Sequence, residues 1–348
     1  MMNEIIEQAL APVFAGVKRT DEVNDFYDEV RADLAEAAQD KMATNAMLSQ
    51  EEAVKAALTE MGDLHEAVKM MADDETLTPA PQIEPITGKP GNVELTVEAA
   101  GLRKVKIDGH YTDVRLTMSE TAEFTVKTMQ RGYFNGEVAF KTTDGQLKIT
   151  MPEPKKWSFV VPFAHPHQTI ELGVPAEFAG ELTVETKAGN VWIENLVTPA
   201  LTLALEAKAG NVRIADAEMH LTRVKMKSGN LHMDNVTTEF ETDVKSGNTK
   251  VVAAKGFGQL AGQSGNLTVD WDELQGDVHL RLRSGNIKNV LPQTASFKFD
   301  AQSESGVVKV KRDGELDVKT MSYVKGETDG RAEYLVKAQV KSGNVKMM

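Results

Sequence analysis

Val224-Lys-Met-Lys-Ser-Gly-Asn-Leu-His-Met233 is the stretch that decides the fold, because its Ser-Gly-Asn core recurs down the second half of the chain. Gly-Asn is spelled at Gly189-Asn190, Gly210-Asn211, Gly229-Asn230, Gly247-Asn248, Gly265-Asn266, Gly285-Asn286 and Gly343-Asn344, and Ser305-Gly306-Val307 is a variant of it. Successive glycines lie 21, 19, 18, 18, 20 and 21 residues apart, and the last gap of 37 is close to two periods. Self-similarity at a period of about twenty residues predicts a solenoid, whose units bury their apolar faces against one another.

Within each unit the first and third residues after Gly-Asn are apolar: Val191/Ile193, Val212/Ile214, Leu231/Met233, Leu267/Val269 and Val345/Met347. Thr249/Val251 matches in part, and Ile287/Asn289 breaks the rule at its second place. Alternation at period two predicts a strand with those pairs inward and Trp192, Arg213 and His232 outward. A looser apolar pair precedes each corner, as in Val224/Met226 and Leu280/Leu282. Two strands per rung of about 19 residues give a β-solenoid or β-roll. Glycine and asparagine tolerate left-handed backbone, so each pair marks a corner. The stacked asparagines then bond backbone or one another.

Working outward, residues 91–175 keep the β alternation but lose the register, and read as an irregular or capping part of a β region spanning 91–348, with the Gly-Asn repeats in 176–348. Residues 73–90 (DDETLTPAPQIEPITGKP) hold four prolines and few apolar residues, which predicts a linker. Residues 1–72 read as a small α-helical bundle. Val23, Phe26, Tyr27, Val30 and Leu34 recur at helical spacing, as do Val54, Ala57, Leu58, Met61, Leu64 and Val68. Ser49-Gln-Glu-Glu52 is a capping-box pattern, and Pro12 weakens the first helix.

The charge is uneven. The chain carries a net of -13, yet residues 1–80 hold 18 Asp and Glu against 6 Lys and Arg, while the remainder holds 34 against 33. An acidic module repels nucleic acid and attracts cationic partners, so nucleic acid is excluded and a protein or cationic peptide is the expected partner. There are no cysteines, which removes disulfides and thiolate metal sites. The N-terminus has Glu4 and Glu7 where a secretory signal needs cations, and no apolar run reaches membrane-spanning length. Neither a signal peptide nor a transmembrane segment is therefore expected, which on residues alone leaves a cytoplasmic location.

Catalytic motifs are missing: no Gly-x-Ser-x-Gly, phosphate loop, dinucleotide fingerprint or His-Glu-x-x-His occurs. Calcium-binding repeats need an Asp in the turn, where this chain places Lys187, Lys208, Lys227 and Lys245 ahead of the corner. His165-Pro-His167 lacks a third metal ligand. Asp270, Asp272, Glu273 and Asp277 are the acids that a polysaccharide-cleaving enzyme would need to converge. The expectation is a protein without catalytic, cofactor-binding or metal-ligating residues.

With its Ser-Gly-Asn-Leu register, region 170–348 resembles the adhesin-type β-solenoid family (DUF4097-like). Rungs between residues 184 and 287 carry the best match. The front, through Glu51-Glu-Ala-Val-Lys-Ala-Ala-Leu-Thr-Glu-Met-Gly-Asp63 and Asp25-Phe-Tyr-Asp-Glu-Val30, is similar to the helical module of daptomycin-sensing surface proteins of Gram-positive bacteria. The resemblance implies a cell-envelope location and a non-enzymatic role in envelope stress. An acidic helical sensor would take antimicrobial peptides, and a β-solenoid platform would engage envelope-stress membrane proteins. The alternative is an adhesin or structural surface protein that binds through the solenoid.

Overall fold

A computed structural model gives the structure of residues 2–17, 21–44, 48–61, 64, 68, 92–155, 166–328 and 331–348. The Pro-rich stretch 73–90, expected as a linker, lies outside the described residues. Contacts divide the chain into two compact units, one of residues 1–84, 131–135 and 153–167, the other of residues 85–130, 136–152 and 168–348. The sequence reading drew both parts as contiguous. The structure instead assigns two short segments from the β region to the helical unit.

In the helical unit, α1 (Met2–Leu10) stops before Pro12, which cannot donate the next helical hydrogen bond. It is followed by α2 (Asp21–Thr44) and α3 (Gln50–Glu60). At the start of α3 the Glu52 N–H donates to Ser49 Oγ at 3.2 Å, and the Ser49 N–H donates back to Glu52 Oε2 at 3.0 Å. Phe26, Val30, Leu34, Val54, Ala57 and Leu64 meet in one apolar core. Tyr133 packs edge-on to Phe26 with ring centroids 5.7 Å apart, and beside it Phe134–Asn135 pairs antiparallel with Glu153–Pro154. Through Tyr133 residues 131–135 pack on the helical core.

The second unit is a β-solenoid. Its inward column runs Val191, Val212, Leu231, Thr249, Leu267, Ile287, Val345, each paired with the next in a parallel ladder. All are buried, so a continuous apolar core is built one rung at a time. Four successive rungs bend again five residues after the corner asparagine, at Asn195, Asp216, Asn235 and Ala253, whose φ angles are 54, 51, 52 and 51°. A third break follows, where the ladder register slips after Thr198, Glu218 and Gly256. Two strands per rung were expected, and three ladder segments are found.

Rung order departs from chain order at the C-terminal end. Leu280 pairs with Ala338 and Ala338 pairs with Ala301, so the Gly343 rung lies between the Gly285 and Gly306 rungs. The intervening chain forms an antiparallel hairpin, Glu315–Lys319 with Tyr323–Glu327, which pairs with Phe297–Ser305. The chain skips one rung position, builds this terminal sheet, and returns to fill the gap. At the other end Lys104–Met118 takes the rung before Gly189, and antiparallel pairs Glu94–Glu98 with Glu123–Arg131 and Ala139–Thr143 with Gln146–Thr150 lie beyond it. Antiparallel strands at both ends interrupt the parallel template that further strands would extend.

Candidate functional site

The corner residues named from sequence are brought into one column. Gly247 has φ at 134°, a conformation that only glycine adopts without strain, and a Cβ there would run into the Gly229 carbonyl. The same approach repeats at Gly210, Gly229, Gly265, Gly285 and Gly343, each against the glycine of the rung beneath. Gly189 meets the carbonyl of Thr112, and Gly306 that of Gly343.

The asparagines form a ladder through their carboxamides. The Asn211 N–H donates to Asn190 Oδ1 at 3.0 Å, Asn230 to Asn211 at 3.1 Å, Asn248 to Asn230 at 3.1 Å and Asn266 to Asn248 at 3.0 Å. Asn286 continues it at 3.3 Å and Asn344 at 3.2 Å. Each Nδ2 also reaches the Oδ1 beneath, as in Asn266 Nδ2 to Asn248 Oδ1 at 3.2 Å. Sequence reading missed both ends of this ladder. Asp113 Oδ1 begins it by accepting the Asn190 N–H at 2.8 Å, and the Val307 N–H ends it on Asn344 Oδ1 at 3.0 Å. The signal for Asp113 was present: Val114 and Leu116 follow it with the spacing of Val191 and Ile193 after Asn190.

Asn289, the break in the apolar pattern, is fully buried and accepts the Trp271 Nε1–H at 2.9 Å. A polar atom is tolerated there because an indole on the neighbouring rung satisfies it.

The acids weighed as a hydrolytic pair do other work. Asp277 Oδ1 accepts the Leu335 N–H at 2.8 Å, and Glu273 Oε1 accepts from Gln275 at 3.2 Å. His165 lies outside the described residues. Among the described residues no group of three His, Asp or Glu side chains could hold a metal ion, and no helix is long and apolar enough to cross a membrane.

Two concave surfaces stand out among the described residues. A groove of about 370 Å³ between α2 and α3 is lined by Asp33, Glu36, Asp40 and Glu60 over a floor of Ala37, Ala57 and Met61. Glu60 pairs with Lys41 at 2.6 Å. On the solenoid a groove of about 500 Å³ runs across four rungs beside the corners, and its lining includes Lys187, Lys208, Lys227 and Lys245. The first surface is acidic, whereas the second mixes these lysines and Lys225 with Asp108, Glu185, Glu206 and Asp243.

Parallel rungs, a glycine–asparagine corner column and antiparallel end strands define a β-solenoid, a fold that makes extended surface. Residues 102–348 match the Toastrack DUF4097 family, and the chain belongs to it. No curated protein sequence matches the chain. Similar crystal structures include a candidate cell adhesion protein from Clostridium sporogenes, with 13% identity over 74% of this chain and 99% of that one at a TM-score of 0.33. A candidate adhesin from Bacteroides fragilis shows 12% identity over 74% of this chain and 97% of its own, at 0.41. Another from Parabacteroides merdae shows 11% over 76% and 98%, at 0.34.

Proposed function

We propose that this chain is a non-enzymatic interaction protein of the bacterial cell envelope, in which the acidic helical unit takes up cationic amphipathic peptides and the β-solenoid serves as a docking platform. The observation that carries this reading is the α2–α3 groove, where four carboxylates rim a small apolar floor. A cationic amphipathic helix presents the complement, basic residues for the rim and an apolar stripe for the floor. The excess of 18 acids over 6 bases in residues 1–80 raises the encounter rate of such a peptide. An envelope-stress role follows from this chemistry, since cationic peptides are envelope-damaging agents.

A photo-crosslinking cationic peptide mixed with the full chain tests it. Crosslinks should concentrate on α2 and α3 and vanish in the Asp33→Asn/Glu36→Gln/Asp40→Asn variant. Crosslinks spread over residues 176–348 would move the binding to the solenoid and favour the adhesin or surface-protein reading.

A further inference from the structure

From the corner columns we infer that the solenoid binds a linear anionic polysaccharide along its glycine–asparagine edge. The outward position two residues before each Gly-Asn glycine holds Lys187, Lys208, Lys227, Lys245, Arg283 and Lys341, with Gln263 as the one uncharged member of these seven consecutive rungs, and Glu304 ends the column on the Gly306 rung. The register is strict, because the residues immediately before them in the chain pair in sequence: Ala207 with Thr186, Met226 with Ala207, Val244 with Met226, Gly262 with Val244, Leu282 with Gly262 and Val340 with Leu282. All six cations are exposed.

On the other side of the corner, three residues after the glycine, a second column includes Arg115, Arg213, Lys250, Lys288, Lys346 and Lys309, again in register. Neither column holds an acid between its first and last cation. Between them lie the exposed hydroxyls of Ser228, Ser246, Ser264, Ser284 and Ser342 and the asparagine ladder. The strip is a continuous band of positive charge and hydrogen-bond donors repeating at about 4.8 Å, the spacing of adjacent strands. The near-zero net charge of residues 81–348 conceals it, since 34 acids offset 33 bases there.

Solubility alone does not call for this arrangement. The column four residues before the glycines mixes signs, with Glu185, Glu206, Lys225 and Asp243, and one position further Arg223 pairs with Glu241 at 2.7 Å. By contrast Lys208, Lys227, Lys245, Arg283 and Lys341 make no ion pair among the described residues. Like charges stacked directly across a ladder destabilise a sheet. Arg115 and Arg213 are offset by Glu171 and Glu194, each at 4.0 Å, and for the unpaired cations a counter-charge supplied from outside is the compensation. A linear polyanion with regularly repeated charges supplies it. Nucleic acid fits less well: Trp192 and His232 are the two rings in the columns, and Arg115 lies over Trp192 at 5.1 Å, so there is no run of aromatic platforms on which successive bases would stack. A glycan needs no such platform, and its hydroxyls accept from the serine and asparagine row.

The probe is polygalacturonate, with neutral dextran as control, titrated against the full chain. Polygalacturonate should bind, weakening by more than about tenfold between about 50 and 200 mM salt, and dextran should not. Lys208→Gln/Lys227→Gln/Lys245→Gln/Lys250→Gln should lose the binding while keeping its melting temperature, whereas Lys127→Gln/Lys141→Gln/Lys319→Gln, exposed lysines away from the strip, should retain it. Should the first variant fail to fold, Arg283→Gln/Lys288→Gln/Lys341→Gln carries the same expectation. No binding at low salt, equal loss in the control variant, or tighter binding of single-stranded DNA would overturn the inference. None of these outcomes touches the helical groove, so its failure is distinguishable from failure of the peptide reading.

Discussion

The carbonyl oxygen of Gly229 occupies the place where a Cβ on Gly247 would stand. Gly247 also has φ at 134°, so the corner excludes side chains twice, by backbone conformation and by the approach of the rung beneath.

Gly247→Val should therefore destabilise the solenoid by more than about 1–3 kcal/mol, the cost of the backbone conformation alone. Gly101→Ala provides the contrast. Its φ is 80° but nothing lies within 4 Å of the new methyl group, so only the conformational cost applies. Thermal melts of the two variants should show the larger drop for Gly247→Val. Equal melting temperatures would mean that the corners do not stack as described.

Trp271 and Asn289 form a buried pair worth a double-mutant cycle. Trp271→Phe leaves Asn289 Oδ1 without its donor, in a side chain whose Nδ2 already lacks a partner. The cost should be about 1–3 kcal/mol. Asn289→Leu alone strands the indole N–H. The double variant should recover part of the loss, and denaturant unfolding that shows strictly additive single effects would contradict the pairing.

The chain contains no cysteine, so engineered pairs report rung order cleanly. Arg283→Cys/Lys341→Cys places two cysteines on neighbouring rungs with backbones about 4.8 Å apart, within disulfide reach. Arg283→Cys/Glu304→Cys places them two rungs apart, beyond it. Oxidation should bridge the first pair and leave the second free. The reverse result would mean that the coil follows chain order to its end.

His232 sits in the second basic column, where burial, then Lys250 and Arg213, hold its pKa below the ordinary 6.5, against a smaller opposing effect of Asp234. The unfolded chain thus binds the proton more readily than the folded one. The stabilising contribution of the neutral ring is complete above 6.5 and is lost as pH falls through the interval below it. Melting temperatures at about pH 7.5 and 5 should fall less in His232→Gln than in the parent. An identical fall in both would remove His232 as a source of the acid sensitivity.

Much of this architecture was legible because the solenoid writes itself into local sequence. Gly-Asn fixes a corner, and the two apolar residues after it fix a face. Asp113 and Val307 escaped because the end rungs replace asparagine by residues that offer the same bond with different chemistry. The swap of the Gly343 and Gly306 rungs escaped because a gap of 37 residues reads equally as two rungs in order or as an excursion and return. Tyr133 joins the helical unit by packing against its apolar core, a contact that no periodicity announces. The basic strip was visible only as single lysines ahead of the corners. Register, which belongs to the stacked rungs, turns them into columns.

The most direct measurement is the affinity of a cationic amphipathic peptide for the full chain at about 50 and 500 mM salt, conditions that shorten the Debye length from above 10 Å to a few ångströms. Tight binding at low salt that fades at high salt, and that survives Lys208→Gln/Lys227→Gln/Lys245→Gln/Lys250→Gln, is the predicted result. No binding at low salt, or binding that persists in Asp33→Asn/Glu36→Gln/Asp40→Asn, would contradict it.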